Sequence, residues 1–279
     1  MITIRAPIAA GTFYDLDPTM LRRQIEASFK HKIGAKGVKM QGMTAAVVPH
    51  AGYIYSGAVA SWVYSRIEKA NYIILGPNHT GNGARFALSK NGLWKTPLGG
   101  VAIDENMAEE LLKECKLLEY DIIPHMYDHA IEVQLPFLQY RFGNDFNFVP
   151  ISILNEFADD NLLESCSIIG KGIAKVIKKS KEKWTVIASS DFSHYIERRM
   201  AKETDLAVIR AIKKLNEKLF FANIVDRNAS LCGFGPIAVA MIAAKELGAK
   251  KADLLKYATS GDMIEESNSV VGYASIIIY

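Results

Sequence analysis

The stretch Ala45-Ala46-Val47-Val48-Pro49-His50-Ala51-Gly52-Tyr53 predicts the fold class of this chain. Its first four residues form a short, wholly apolar run, which is typical of a strand that is buried on both faces of a parallel sheet. Pro49 and Gly52 then interrupt the regular backbone, and an apolar helical pattern follows. A buried strand that ends in a turn before a helix is the repeating unit of an α/β protein.

The same order of strand, turn and helix recurs along the chain. Apolar runs predict strands at Ala45–Val48, Tyr72–Leu75, Phe148–Ile153, Thr185–Ser189, Leu254–Thr259 and Val270–Ile278. Helices are predicted at Ser56–Lys69, Glu105–Cys115, Asn161–Lys179, Ala201–Leu215 and Gly235–Leu247, with Ser56 and Asp104 as N-caps. Arg85–Thr96 is predicted to form two strands turned by Asn91-Gly92. We expect residues 1–279 to form a single domain, a three-layer α/β/α sandwich with a mostly parallel or mixed central sheet.

The composition argues against several classes of partner. There are 33 basic and 30 acidic residues, and no basic stripe interleaved with aromatic residues, so we expect no nucleic-acid partner. No apolar stretch approaches the roughly 20 residues of a membrane helix, and no signal-peptide pattern is present. Three widely spaced cysteines fit a reducing compartment. These features predict a cytoplasmic protein without membrane contact.

Several histidines directly follow predicted strands. His50 and His79 come after the first two of these strands, and Asp191 and His194 come after the fourth. Because ligands of open α/β sheets bind outside the carboxyl ends of the strands, we expect these side chains to meet at one rim. The alternative for each histidine is a hydrogen-bonded loop residue without a ligand.

Cys232 lies among glycines and a proline in Leu231-Cys232-Gly233-Phe234-Gly235-Pro236, at the start of a predicted helix. Helix N-terminal amides and a metal ion would both lower the pKa of its thiol. Two neutral imidazoles and a thiolate are suitable ligands for iron(II), copper or zinc. His50, His79 and Cys232 are therefore candidate metal ligands, and the alternative for Cys232 is a thiol packed beneath its loop.

Asp191 and His194 are three residues apart, so they share a face if their loop enters a helical turn. Such a pair can act as a general base or orient another group, and the alternative is a surface pair without function. His125 and His129 lack the His-Glu-x-x-His order of a zinc-binding helix. The residues that we expect to line the pocket are His129, Glu132, Gln134, Tyr53 and Asn78.

Other enzyme motifs are weak or absent. The sequence has no Walker A motif, no complete dinucleotide-binding glycine loop and no Gly-x-Ser-x-Gly elbow. A hydrolase that uses Cys232 as nucleophile, with His50, His79 or His194 as base, stays open. It ranks below the metal site because one nucleophile needs only one base, whereas this sequence brings several histidines to the rim.

Seven blocks of sequence, in order, closely resemble the Memo family, which is related to mediator of ErbB2-driven cell motility. The blocks are Arg5-Ala6-Pro7 with Ala10-Gly11-Thr12-Phe13-Tyr14, Pro49-His50-Ala51-Gly52-Tyr53, Leu75-Gly76-Pro77-Asn78-His79, Asp128-His129-Ala130-Ile131-Glu132-Val133-Gln134-Leu135-Pro136-Phe137, Ser189-Ser190-Asp191-Phe192-Ser193-His194, Cys232-Gly233 and Ser269-Val270-Val271-Gly272-Tyr273. Prokaryotic members are also called the B protein of the AmmeMemoRadiSam system, a label that implies an AMMECR1-like protein and a radical SAM protein as partners.

The resemblance implies a fold similar to that of class III extradiol, non-haem iron dioxygenases. By that similarity His50, His79 and Cys232 stand at the metal-ligand positions, and His194 stands where those enzymes keep a catalytic base. Asp191 and His129 would line the same pocket. A thiolate replaces the carboxylate ligand of the dioxygenases, so their reaction is not carried over to this chain.

The sequence thus favours a Memo-type metal-binding redox protein or oxidoreductase. Iron as Fe²⁺ is the preferred ion, with copper or zinc as alternatives, and the substrate is an unknown small molecule or peptide. A second hypothesis is a non-catalytic adaptor whose pocket binds a peptide or an anionic group.

Overall fold

The computed structural model describes residues 3–37, 42–264 and 268–279. Its strands are β1 (Ile4–Arg5), β2 (Ala45–Val48), β3 (Asn71–Pro77), β4 (Phe86–Leu88), β5 (Leu93–Thr96), β6 (Gly99–Ala102), β7 (Glu119–Tyr120), β8 (Phe148–Ile153), β9 (Trp184–Ser189), β10 (His194–Ile196), β11 (Ala252–Thr259) and β12 (Val270–Ile278). Its α-helices are α1 (Pro18–Lys30), α2 (Tyr53–Tyr64), α3 (Glu105–Glu114), α4 (Ile123–Met126), α5 (Leu135–Phe142), α6 (Asp160–Lys179), α7 (Arg198–Lys213), α8 (Glu217–Asp226), α9 (Phe234–Glu246) and α10 (Gly261–Ile264). Residues Glu132–Gln134 form a 3₁₀ turn.

The central sheet is mixed, with a parallel centre. Among the described residues its strand order is β10-β12-β2-β9-β3-β8-β4-β7, and β11 also pairs with β12. Strands β2, β9, β3 and β8 run parallel to one another and are almost wholly buried. Strands β10, β11, β12 and β4 add antiparallel pairings on the two sides. A separate small sheet has the order β1-β5-β6.

Helices cover both faces of the central sheet. Helix α9 packs on β9, β2 and β3, and α6 packs on α9. Because α9 is apolar on all sides, it is buried from Gly235 to Ala244, whereas α6 buries one stripe. Helix α2 packs against β12, β11 and β2, with α1 and α5 beside it. The result is the predicted three-layer α/β/α sandwich, and no described helix has the length and apolar character to cross a membrane.

The six predicted strands and five predicted helices are all present, but one predicted cap is wrong. Asp104 is the N-cap of α3, and its carboxylate accepts a hydrogen bond from the Met107 amide. Helix α2 begins at Tyr53, so Ser56 lies inside its first turn instead of capping it. The Ser56 hydroxyl donates to the Ala51 carbonyl at 2.8 Å. The apolar run extends the helix one turn earlier than the serine suggested.

The predicted strand pair in Arg85–Thr96 is also not a hairpin. Strand β4 joins the central sheet beside β8, whereas β5 joins the small sheet between β1 and β6. Gly92 has φ 117° and the chain bends at Asn91, but this segment carries the chain from one sheet to the other.

One buried carboxylate holds the segment that precedes α1. Glu132 is fully buried and forms an ion pair with Arg5. Its oxygens also accept hydrogen bonds from the amides of Ile8 and Ala9, at 3.0 and 2.9 Å. Burial, and then the charge of Glu132, raise the pKa of Tyr14, whose hydroxyl donates to the same carboxylate at 2.5 Å. The segment before α1 is held in place because its hydrogen bonds and its ion pair compensate the burial of the Glu132 charge.

We expect Glu132→Ala to lower the free energy of unfolding by about 3–5 kcal/mol, since it leaves the Arg5 guanidinium buried without its partner. Urea denaturation at neutral pH measures the change. Glu203→Ala is the matched control, because Glu203 pairs with Arg199 at the exposed surface and should change stability by about 0.5 kcal/mol or less. Equal effects of the two substitutions would contradict the proposed role of Glu132.

Candidate metal centre

Three imidazole rings meet where the parallel strands end. One ring nitrogen from each of His50, His79 and His129 lies within 4.8 Å of the other two. The His50 ring stands edge-on to the other two rings, with centroid distances of 5.2 Å to His79 and 5.4 Å to His129. The His79 and His129 rings are stacked at 5.1 Å. Within the described ranges, no second group of His, Cys, Asp or Glu donors is this close.

The loop after β3 presents His79 at this rim. Asn78 is buried, and its side-chain oxygen accepts hydrogen bonds from the amides of Thr80 and Gly81, both at 3.1 Å. Its amide group donates to the Asn82 carbonyl at 2.8 Å. Asn78, which the sequence predicts to line the pocket, therefore serves the turn that carries His79.

Asp128 orients the His79 ring. Its carboxylate lies 3.1 Å from His79 Nδ1 and accepts the His79 amide at 2.6 Å. A carboxylate only accepts, so Nδ1 carries the proton and Nε2 keeps its lone pair. Burial disfavours the charged forms of both His79 and Asp128, but the hydrogen bond and the electrostatic attraction between them outweigh this effect. They raise the pKa of His79 and lower the pKa of Asp128 to about 2.

His50 is a buried, neutral imidazole. Burial and the nearby charge of His79 lower its pKa to about 3. Its Nδ1 lies 2.9 Å from Ser189 Oγ, and its Nε2 lies 3.2 Å from Cys232 Sγ. A neutral imidazole with one nitrogen held by the protein is the usual form of a metal-binding histidine.

His129 lies between two rings. It stacks on Phe13, from the segment before α1, at 4.0 Å, and on His79 at the other side. Burial, and then repulsion from His50, lower the pKa of His129 to about 4. The sequence assigns His129 to the pocket lining, and the structure brings its ring nitrogen into the group with His50 and His79.

Cys232 adjoins this group on the His50 side, but it is not among the three donors that lie within 4.8 Å of one another. Burial, and then the charge of Asp191, raise the pKa of the thiol in the metal-free chain, where the sequence predicted a lowered pKa. The loop amide of Gly233 does not stabilise a thiolate, because it donates to Ser190 Oγ at 3.0 Å.

Asp191 and His194 lie near each other but bind different partners. Asp191 Oδ1 accepts the His50 amide at 2.9 Å, and burial raises the pKa of its carboxyl group. His194 Nδ1 lies 2.8 Å from the Ser230 carbonyl, so this nitrogen is the donor and Nε2 of the neutral ring carries the lone pair. The helical turn on which a shared face depended is absent, since the chain enters the extended strand β10 at His194.

The other predicted pocket residues, Glu132, Gln134 and Tyr53, form hydrogen bonds to the backbone of neighbouring segments. Glu132 binds the segment before α1, as described above. Gln134 donates to the Pro49 carbonyl at 3.0 Å and to Ser189 Oγ at 2.8 Å. Tyr53 donates its hydroxyl proton to the Val133 carbonyl at 2.6 Å.

Three residues of the site have no place in the sequence-based prediction. They are Asp128, Ser189 and Phe13. Asp128 directly precedes His129, and the acidic residue beside a histidine was the available signal. Ser189 ends a predicted strand, and Phe13 contacts His129, which lies 116 residues later in the chain, so periodicity does not reveal this contact.

Comparisons with known proteins agree with this architecture. The family model described as Memo-like protein matches residues 5–277. A MEMO1 family protein of Methanosarcina barkeri is 43% identical over 276 residues, which cover 99% of this chain and 100% of that protein. The chain belongs to the Memo family.

Other relatives give the same assignment. A MEMO1 family protein of Sulfolobus acidocaldarius is 42% identical over 285 aligned positions, with 98% of each chain covered. An uncharacterized protein of Escherichia coli K12, known from a crystal structure, shares the fold with a TM-score of 0.52. It is 14% identical, and the match covers 85% of the Memo-family chain and 100% of the other chain. At that identity the likeness concerns the fold alone.

In the metal-free Memo-family protein, we expect His79 to titrate above the ordinary imidazole pKa of about 6.5, and His50 and His129 to stay neutral down to below about pH 5. Asp128→Asn should lower the pKa of His79, because it removes the attracting negative charge. Histidine NMR titrations measure all three groups.

The control for this titration is Asp145→Asn, which removes the exposed partner of Lys69 and should leave the His79 pKa unchanged. A His79 that titrates below about 6.5 in the parent protein would contradict the assigned pair.

Proposed function

We propose that this protein binds a transition-metal ion at the rim, with redox-active iron as Fe²⁺ preferred over copper, and with zinc, which has no redox chemistry, as a further alternative. His50 and His79 are the ligands common to the predicted set and to the geometric group. Cys232 and His129 flank His50 and are the two candidates for the third position. The observation that carries the proposal is the approach of three imidazole nitrogens to within 4.8 Å of one another.

The donor set fits such an ion chemically. Imidazole nitrogens and a thiolate are ligands of iron, copper and zinc, whereas calcium and magnesium prefer oxygen. The His79 side chain is 35% exposed, so a substrate can reach this face of the group.

The bound ion would supply redox chemistry and polarise a small substrate. The chain itself would contribute orientation and proton transfer. Asp128 holds the His79 ring, and Asp191 holds the backbone at His50. His194, whose Nδ1 is held by the Ser230 carbonyl, would take up or return a proton at Nε2 as a general base.

Metal content decides between the two ligand sets. The protein is reconstituted with Fe(II), Cu or Zn, freed of excess ion, and analysed for bound metal. We expect His50→Ala and His79→Ala each to lose bound metal by at least about tenfold, since either change removes a shared ligand. The third ligand is identified by comparing Cys232→Ala with His129→Ala.

His31→Ala is the control, because His31 follows α1 and takes no part in the group. It should retain the metal content of the parent. Equal metal content in the parent and in all four site variants would remove the proposal.

A Cys-His hydrolase is the second candidate, and one contact favours it. Cys232 Sγ is 3.2 Å from His50 Nε2, within reach of a nucleophile and its base. Two features weigh against it. Burial raises the pKa of the thiol, and the Gly233 amide, which could stabilise an oxyanion, is already bound to Ser190.

We therefore expect Cys232 in the metal-free protein to react slowly with iodoacetamide, because the protonated thiol is a poor nucleophile. Peptide mapping by mass spectrometry separates Cys232 from the buried thiols Cys115 and Cys166, which serve as internal references. Rapid alkylation of Cys232, together with a burst of product from an activated ester, would favour the hydrolase over the metal site.

The wider setting is also a proposal. All three cysteines are free thiols, which supports a cytoplasmic, reducing compartment. A hydrophobic core that includes residues from Ala9 to Ile278 supports a single domain across residues 1–279. An AMMECR1-like protein and a radical SAM protein are the partners suggested by family resemblance, and an unknown small molecule or peptide is the proposed substrate.

A further inference from the structure

We propose that Ser189, supported by Gln134, is a positioning residue that fixes the tautomer of His50, so that Nε2 of this ring faces the metal position without a proton. The inference rests on the proposed function, because it concerns the atom that His50 offers to the ion. It rests on a chain of hydrogen bonds. Two backbone carbonyls, which can only accept, fix which group in this chain is the donor at each step.

Gln134 has its orientation set by the first carbonyl. The nitrogen of its side chain lies 3.0 Å from the Pro49 carbonyl, and a carbonyl only accepts hydrogen bonds. The group that faces Pro49 is therefore the NH₂ group. The side-chain oxygen points the other way and accepts the Tyr64 hydroxyl at 2.5 Å. The same NH₂ group lies 2.8 Å from Ser189 Oγ and donates to it.

Ser189 has its hydroxyl proton directed by the second carbonyl. Its Oγ lies 2.7 Å from the Ala130 carbonyl, so the hydroxyl must donate there. This hydroxyl has one proton only. Its third neighbour is His50 Nδ1 at 2.9 Å, to which it can offer only a lone pair. Ser189 is fully buried, so solvent does not compete for these positions.

The tautomer of His50 follows from these directions. Since Ser189 can only accept from the ring, Nδ1 of the neutral imidazole carries the proton. Nε2 therefore presents its lone pair, which a metal ion requires. Cys232 Sγ lies 3.2 Å from Nε2 and 3.7 Å from the Asp191 carbonyl, so its one thiol proton has two acceptors in this assignment.

The same chain also sets the spacing of two loops. Pro49 precedes His50, and Ala130 follows His129, so the Gln134–Ser189 pair is bonded to the backbone beside two rings of the group. Loss of Ser189 therefore affects the protonation of one ring and the position of the other. Groups that orient ligands in this way typically change metal affinity by about 10- to 100-fold when removed.

Two-bond ¹H–¹⁵N correlation spectra of the metal-free protein at pH 8 test the assignment, because they show which ring nitrogen is protonated. We expect His50 to be protonated at Nδ1 in the parent. In Ser189→Ala, Nδ1 loses its acceptor, so we expect a population with the proton on Nε2 and Zn(II) affinity reduced by about 10- to 100-fold.

The matched control is Ser152→Ala. Ser152 is also buried, on strand β8, which β3 separates from β9, and its hydroxyl has no hydrogen-bond partner within the described part of the chain. This variant removes a buried hydroxyl without touching the chain of bonds. It should keep the parent tautomer and the parent Zn(II) affinity.

The outcomes separate the two proposals. A His50 protonated at Nε2 in the parent overturns the inference, and this measurement does not depend on how any variant folds. An unchanged His50 tautomer in folded Ser189→Ala also overturns it. If the parent shows Nδ1 protonation but binds no metal, the proposed function fails while the tautomer assignment stands.

Discussion

The parallel pairing of β2, β9 and β3 is the constraint on which the site depends. In the sheet Val48 lies opposite Ser189, and Leu75 lies opposite Ala188, so these strands end at the same edge. The residues that follow them must then emerge close together. A slip of one position would turn Ser189 to the other face of the sheet and away from the His50 ring. The burial of both faces prevents such a slip, since it would displace every apolar side chain.

Three buried carboxylates hold three different parts of the rim in place. Glu132 holds the segment that carries Phe13, Asp128 holds the His79 ring, and Asp191 holds the backbone at His50. Each carboxylate accepts backbone amide protons, so its burial is compensated by hydrogen bonds. The imidazoles of His50 and His129 are left neutral. Asp128 and Asp191 thus hold the two shared ligand histidines through Nδ1 of His79 and the backbone amide of His50, and not through Nε2 of either ring.

Much of the fold could be predicted because buried parallel strands are uniform apolar runs. The positions of His50 and His79 at strand ends followed from the same pattern. Where a single residue and a longer apolar pattern predicted different starts for a helix, the apolar pattern was the better guide. Ser56 resembled a helix cap, yet α2 starts earlier. Asn91-Gly92 does separate two strands, but its local sequence cannot show that these strands pair with different sheets.

The site was less predictable, since its assembly is non-local. The contact of Phe13 with His129, and the chain from Gln134 to Ser189, join segments with no common periodicity. The helical turn that would have given Asp191 and His194 a shared face is replaced by an extended strand, which a spacing of three residues cannot reveal. Hydrogen-bond direction and ring stacking depend on atoms whose separation the sequence does not encode locally.

Ser230 couples the position of His194 to that of Cys232. It binds His194 twice, because its hydroxyl accepts the His194 amide and its carbonyl accepts Nδ1–H, both at 2.8 Å. Two residues later the same loop presents Cys232. A shift of this short backbone stretch must therefore carry the thiol and the imidazole in concert. Any event that pulls the sulfur towards a new bonding partner will reposition the proton carrier as well.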